Sequence, residues 1–280
     1  MNSSTSNHWL RRLDVTGSML GQKLQDLKDA VEDLTNIVIS DSANQNKSRI
    51  ALAPFANAVS LQSQHFKDVT GKTSMVGYAG CVVERTGGDA HTDKSPSAGG
   101  YLTALEDVAP SAQCDAGREI MPLSDRKTDI KNMVRSLSAN GSTAGHLGTA
   151  WGWYLLSPQW AGVFDTDAQP APYEQLKEKN PSGAPKLRKI LVLMTDGEYN
   201  TQYLGDDSNM QAQSICAEIK KTGIEVFSIG FGVSGNPTVV NTLKGCANSP
   251  SHFYDATTGD ALKNAFRDIA LKASTVRLIQ

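Results

Sequence analysis

The sequence predicts an α/β fold: one domain over residues 1–280, built on a doubly wound, mostly parallel sheet flanked by helices, with two irregular insertions at about 62–124 and 159–188. Three observations carry that prediction. Residues 190–194 (ILVLM) are consecutive apolar residues, the texture of a strand buried on both faces. Residues 224–231 (IEVFSIGF) are a second such strand. Around these strands, segments of helical spacing alternate with strand-like ones, the order that builds a parallel sheet covered on both sides. With 39% hydrophobic and 20% charged residues, the 280-residue chain is globular and long enough for a large core. A net charge of −2 gives no reason to expect nucleic acid or an anionic membrane as a partner. No apolar run approaches the ~18 residues of a transmembrane helix.

The elements follow in order. Leu20, Leu24, Leu27, Val31, Leu34 and Val38 recur at gaps of four and three, one apolar stripe on a long helix. Residues 49–57 (RIALAPFAN) read as a strand, with a partner strand near 58–61. From 62 to 124, Gly, Ser, Thr and Asp dominate, so little regular structure is expected. A loop of that length tends to be functional or tied down. Helical texture returns at 124–139, with Ser124 as its N-cap. Residues 140–145 (NGSTAG) break it, and 144–158 form the next helix, ended by Pro158. Pro170, Pro172, Pro181 and Pro185 mark 159–188 as irregular. A helix at about 208–221, a short one before Cys246, a strand at 252–256 and a closing helix at about 259–272 complete the chain. Trp151, Trp153, Tyr154 and Trp160 are expected to pack as core. Lys186, Arg188 and Lys189 read as a solvated strand edge, and His146 and His252 as surface or capping residues.

Cys81, Cys114, Cys216 and Cys246 include no C-x-x-C pair and no histidine at zinc-finger spacing, which argues against structural zinc. Four cysteines allow three pairings, and sequence alone does not choose among them. We expect neighbours in order, Cys81–Cys114 and Cys216–Cys246. Four buried free thiols in a reducing compartment are the alternative. A Cys81–Cys114 bridge would be a physical reason for the first insertion to stay ordered.

In an open α/β sheet, ligands bind beyond the carboxyl ends of the strands. Three polar loops fall there: residues 14–18 (DVTGS), Thr195-Asp196-Gly197, and 140–145. Asp14, Thr16 and Ser18 alternate, and alternate side chains of an extended loop point the same way. Gly17 permits a tight backbone path. Asp14 and Asp196 supply two carboxylates, and Thr16, Ser18 and Thr143 supply three hydroxyls. That is a hard-cation set: Mg²⁺ takes six oxygens and keeps several waters. Two carboxylates only neutralise a divalent ion, which leaves it electrophilic and open to a partner's carboxylate. The candidate metal ligands are therefore Asp14, Thr16, Ser18, Thr143 and Asp196, for Mg²⁺ or else Mn²⁺ or Ca²⁺. No residue is expected to be catalytic.

These pieces resemble a known family. "DVTGSM" from Asp14, Gly141-Ser142-Thr143 and "MTDG" from Met194 look like the D-x-S-x-S, threonine and aspartate loops of the metal-ion-dependent adhesion site in von Willebrand factor type A domains. Thr16 stands where that pattern has serine but keeps the hydroxyl. More narrowly, "HLGTAWGWYLLSPQW", "KILVLMTDGEYNT" and "CANSPSHFYDATTGDALKNAFRDIA" are similar to the C-terminal region of bacterial TadG-like proteins of Flp pilus assembly, over nearly the whole chain from Leu13. The resemblance implies a non-catalytic, divalent-metal-dependent protein-binding domain in Flp (Tad) pilus assembly or surface attachment. Its partner would be a pilus or surface protein that supplies an acidic residue. It also implies a place outside the cytoplasm at the inner membrane, which favours disulfides. Two departures are expected to matter. The chain has no N-terminal membrane helix or export signal, as a truncated product or misplaced start codon would produce. The residues before Asp14 are "SNHWLRRL", and Arg11 and Arg12 would each be costly to bury unpaired, so most of the first buried strand is expected to be missing.

Other chemistries fit less well. A haloacid-dehalogenase-like phosphatase would use Asp14 as nucleophile and Asp206 and Asp207 for magnesium, but position 16 is threonine where that pattern needs a carboxylate. "GFGVSG" from Gly230 matches the dinucleotide-binding G-x-G-x-x-G, yet only 25 residues follow Asp255, too few for the remaining strands. "GSTAG" mimics the nucleophile elbow but has no strand before it. A structural domain with an empty site is the remaining alternative.

Overall fold

The computed structural model describes residues 5–39, 48–73, 80–114, 119–181 and 183–274. Among them are nine strands: β1 (Ser6–Asp14), β2 (Ser48–Phe55), β3 (Val59–Ser60), β4 (Cys81–Val83), β5 (Thr103–Ala104), β6 (Met121–Ser124), β7 (Leu187–Thr195), β8 (Glu225–Phe231) and β9 (Phe253–Ala256). The helices are α1 (Gln22–Val38), α2 (Ser63–Thr70), α3 (Leu105–Val108), α4 (Lys127–Ser136), α5 (Gly145–Tyr154), α6 (Ser208–Lys221), α7 (Pro237–Cys246) and α8 (Gly259–Ser274). Six strands form the main sheet in the order β6-β2-β1-β7-β8-β9, parallel except for the edge strand β6. The strand order turns back at β1, which lies between β2 and β7, so the ends of β1 and β7 border the crevice where such sheets bind ligands. Helices α1, α4 and α8 cover one face through Leu27, Val31, Leu34, Ile130, Val134 and Phe266. Helices α5 and α6 cover the other, beside Leu10, Phe55, Leu191 and Leu193.

β7 and β8 form where expected, since their apolar runs are buried on both faces. Helix α1 buries Leu27, Val31, Leu34 and Val38 as the stripe predicts, with Leu24 partly buried. Leu20 is different: it precedes the helix and is 67% exposed. Helix α7 is short, Gly230 is a paired residue within β8, and Gly232 follows the strand's end.

Several expectations are corrected. The first strand is present. β1 is a central strand whose residues from Asn7 to Asp14 are all buried, Arg11 and Arg12 included. Its register with β2 and β7 outweighs the two charges, and Arg12 finds partners on other elements (below). The first insertion is more regular than expected. It contains α2, α3, β4, β5 and β6, and β4 and β5 join β3, just before it, in the antiparallel sheet β3-β4-β5, although residues 74–79 and 115–118 lie outside the described set. Cys81–Cys114 closes it, and Cys216–Cys246 joins α6 to α7. Ser124 is not the N-cap of α4. It ends β6, and the helix starts at Lys127 after Arg126, whose N–H bonds to the Ser124 hydroxyl at 3.1 Å. Lys189 is buried rather than solvated, its ammonium donating to the Leu156 and Ala171 carbonyls. His146 is buried too, 2.7 Å from the Ser208 hydroxyl. The aromatic cluster packs as core, with Tyr154 stacked on Trp160 at 4.0 Å. No helix of the described residues is long and apolar enough to cross a membrane.

Candidate metal centre

Asp14 is the last residue of β1, and Asp196 follows the last residue of β7. Adjacent parallel strands therefore deliver both carboxylates to one rim. From Asp14 the chain runs extended to Thr16 and then into a 3-10 turn, Gly17–Met19. The result is a continuous chain of oxygens. The Thr16 hydroxyl donates to Asp14 Oδ1 at 2.7 Å, and the Thr16 N–H donates to the same oxygen at 3.0 Å. Thr16 Oγ1 lies 3.0 Å from Ser18 Oγ, and Ser18 donates to Asp196 Oδ1 at 2.6 Å.

The third loop docks through backbone. The Gly17 N–H donates to the Gly141 carbonyl at 2.9 Å and the Asn140 N–H to the Val15 carbonyl at 2.9 Å. A Cβ on Gly17 would stand 3.3 Å from that same Gly141 oxygen, so the close approach favours glycine. Gly141 has φ +79°, a conformation glycine adopts freely. Thr143 is buried and its N–H donates to Asn200 Oδ1 at 2.9 Å. Among the described residues, its hydroxyl makes no hydrogen bond to the other four. Asp14, Thr16, Ser18 and Asp196 are thus brought together side chain to side chain, and Thr143 stands on the loop packed beside them.

Sequence reasoning missed three contributors. Thr195 donates to Asp14 Oδ2 at 2.6 Å. Lys23, in the first turn of α1, donates to Asp196 Oδ2 at 2.6 Å. Arg12 braces the rim from below, donating to Tyr199 Oη at 2.6 Å and to the Met194 carbonyl at 3.2 Å. Thr195 was visible as the neighbour of Asp196. Nothing local in the sequence marks Lys23 or Arg12, because their partners are more than 130 residues away.

The electrostatics suit a cation. Asp14 is fully buried, and burial first, then the Asp196 charge, push its carboxyl above the usual range against the pull of its hydrogen bonds. The hydroxyls of Thr16 and Ser18 lie among two carboxylates, each hydroxyl in contact with one of them and with the other hydroxyl at 3.0 Å. Two carboxylates and two hydroxyls meeting at one rim are a donor set that fits a hard divalent ion. It is not a cluster of three or more His, Cys, Asp or Glu side chains, of which the described residues contain none.

Comparison with known proteins agrees with this fold. Residues 171–268, roughly a third of the chain, match the von Willebrand factor type A domain. That stretch includes Asp196 but not Asp14, Thr16, Ser18 or Thr143. The vWF domain of the type V pili tip protein Mfa5 from Porphyromonas gingivalis superposes with a TM-score of 0.58 at 10% identity, over 97% of this chain and 96% of that one. The pilus adhesin SpaC from Lactobacillus rhamnosus GG gives 0.55 at 13% identity, over 97% of this chain but only 31% of its own. The adhesive tip pilin GBS104 from Group B Streptococcus agalactiae gives 0.51 at 10% identity, over 96% and 62%. At these identities the likeness is one of fold: the chain has the mostly parallel, von Willebrand factor A-like architecture. No curated protein matches the sequence.

Proposed function

We propose that the chain is a single non-catalytic domain that binds a protein partner through a divalent cation, in pilus assembly or surface attachment. The observation that carries this reading is the junction of Asp14 and Asp196 through the Thr16 and Ser18 hydroxyls at the carboxyl rim of the sheet. Asp14, Thr16, Ser18, Thr143 and Asp196 would hold Mg²⁺, Mn²⁺ or Ca²⁺ directly or through water. When bound, the ion would supply a Lewis-acid position for an acidic side chain of the partner. The fold shared with pilus tip proteins and a pilus adhesin supports an adhesive role. The sequence resemblance to TadG-like proteins points to the Flp (Tad) system and the inner membrane. Two disulfides support a location outside the cytoplasm. An enzymatic reading is weaker, because position 16 is threonine where that chemistry needs a carboxylate, and Asp207 Oδ1 is engaged in capping α6, accepting from the Asn209 and Met210 N–H groups.

A ligand that binds only the folded state raises its stability. Thermal melts with Mg²⁺ or Mn²⁺ at a hundredfold excess over the dissociation constant should rise by about 5 °C above the melt in EDTA. Asp196→Ala should abolish the rise. A rise that survives Asp196→Ala would place the ion elsewhere, and robust Mg²⁺-dependent turnover of phosphate esters would overturn the non-catalytic reading.

A further inference from the structure

Lys23 occupies an unusual place. It lies in the first turn of α1, where the helix dipole disfavours a cation. Its ammonium nevertheless sits 2.6 Å from Oδ2 of Asp196, whose side chain is wholly buried, while the lysine side chain itself is 40% exposed. With Ser18 on Oδ1, both oxygens of Asp196 are taken. Asp14, by contrast, is hydrogen-bonded among the described residues to hydroxyls and a backbone N–H, with no ion pair from any of them. The Lys23 ammonium is therefore held against the helix dipole by the charge of the cluster itself. It also arrives on the same stretch of chain that presents Asp14, Thr16 and Ser18.

We propose that Lys23 is an intramolecular competitor for the cation site: its ammonium neutralises Asp196 when no ion is present, and must leave, or tolerate close like charge, when a divalent ion binds. This rests on the metal-binding reading above and adds to it a setting of affinity built into the fold. Half-exposed, the side chain has solvent to swing into, so displacement needs no movement of the backbone. The competition is electrostatic and depends on the positive charge rather than on the length of the side chain.

The test is calorimetric titration with Mn²⁺ at low ionic strength of the wild type, Lys23→Met, Lys23→Gln, Lys23→Arg and Asp196→Ala. Removal of one positive charge a few ångströms from a divalent ion should tighten binding about tenfold in both neutral variants. Lys23→Arg, which keeps the charge, should stay within about threefold of wild type. Equal or weaker binding by both Lys23→Met and Lys23→Gln would overturn the proposal and leave the metal site standing. Equal tightening by Lys23→Arg would overturn it as well, because charge would not be the cause. If wild type and both neutral variants fail to bind Mn²⁺, the metal-binding reading falls and this proposal with it.

Discussion

Arg11 and Arg12 are adjacent on the same central strand and meet opposite fates. The Arg12 guanidinium donates to the Gly145 carbonyl, the Thr149 hydroxyl and Tyr199 Oη, and to the Met194 carbonyl. It also lies over the rings of Phe55 and Tyr199 at 4.5 and 4.8 Å. Arg11 points to the opposite face, where Nε, Nη1 and Nη2 find no hydrogen-bond partner among the described residues. Burial alone draws its pKa down to about 9. A buried charge without a partner destabilises, and an apolar replacement of similar volume relieves it. Arg11→Met should therefore raise the unfolding free energy by about 1–3 kcal/mol, read as a higher urea midpoint at unchanged slope. A lower midpoint would show that Arg11 has an unrecognised stabilising role. The same pair explains why the first strand was illegible. Pricing both arginines as unpaired is right for Arg11 and wrong for Arg12, whose partners lie 133 to 187 residues further along the chain.

At the scale of elements, α5 shows what periodicity can and cannot convey. Every residue from Gly145 to Tyr154 is buried, because the helix is held between the main sheet on one side and α6 with the first insertion on the other. An apolar run with little amphipathic contrast is what such a position requires, and the helix was legible for that reason. Its glycines are spacers. A Cβ on Gly148 would stand 2.6 Å from Phe55 Cδ1 and 2.8 Å from Arg12 Cδ. Alanine is the better helix former by about 1 kcal/mol, yet Gly148→Ala should destabilise by about 1–3 kcal/mol, since overpacking outweighs propensity. Chemical denaturation decides the sign, and a stabilised variant would show that Phe55 and Arg12 give way freely. The strands of the first insertion, by contrast, are two to four residues long. That is too short for period-two alternation to show, so the segment read as irregular although Cys81–Cys114 and the β3-β4-β5 sheet organise it.

At the scale of the molecule, chain order and sheet order together make the site. β1 and β7 are neighbours in space but far apart in sequence, so Asp14 and Asp196 could be joined from sequence only by assuming that strand ends share a rim. That assumption held for four of the five predicted residues at side-chain level, whereas the Thr143 loop is joined through backbone. The opposite end of the same strand pair predicts how the whole fold responds to acid. His8 of β1 is buried, and its Nε2 accepts from Arg49 of β2 at 2.9 Å, while Arg49 also donates to the carbonyls of Asp167 and Gln169. Burial foremost, then the charges of Arg49 and Lys189, lower the His8 pKa from 6.5 to about 3. Between those values the unfolded chain binds a proton that the folded chain refuses, so stability falls as pH falls. One such proton contributes a slope of about 1.4 kcal/mol per pH unit. His8→Gln keeps an acceptor for Arg49 but cannot titrate. Wild type should lose stability relative to His8→Gln from pH 6.5 down to pH 4, in paired urea titrations. A difference between the two proteins that stays constant across that interval would mean that His8 takes up its proton without unfolding the junction of β1, β2 and the second insertion.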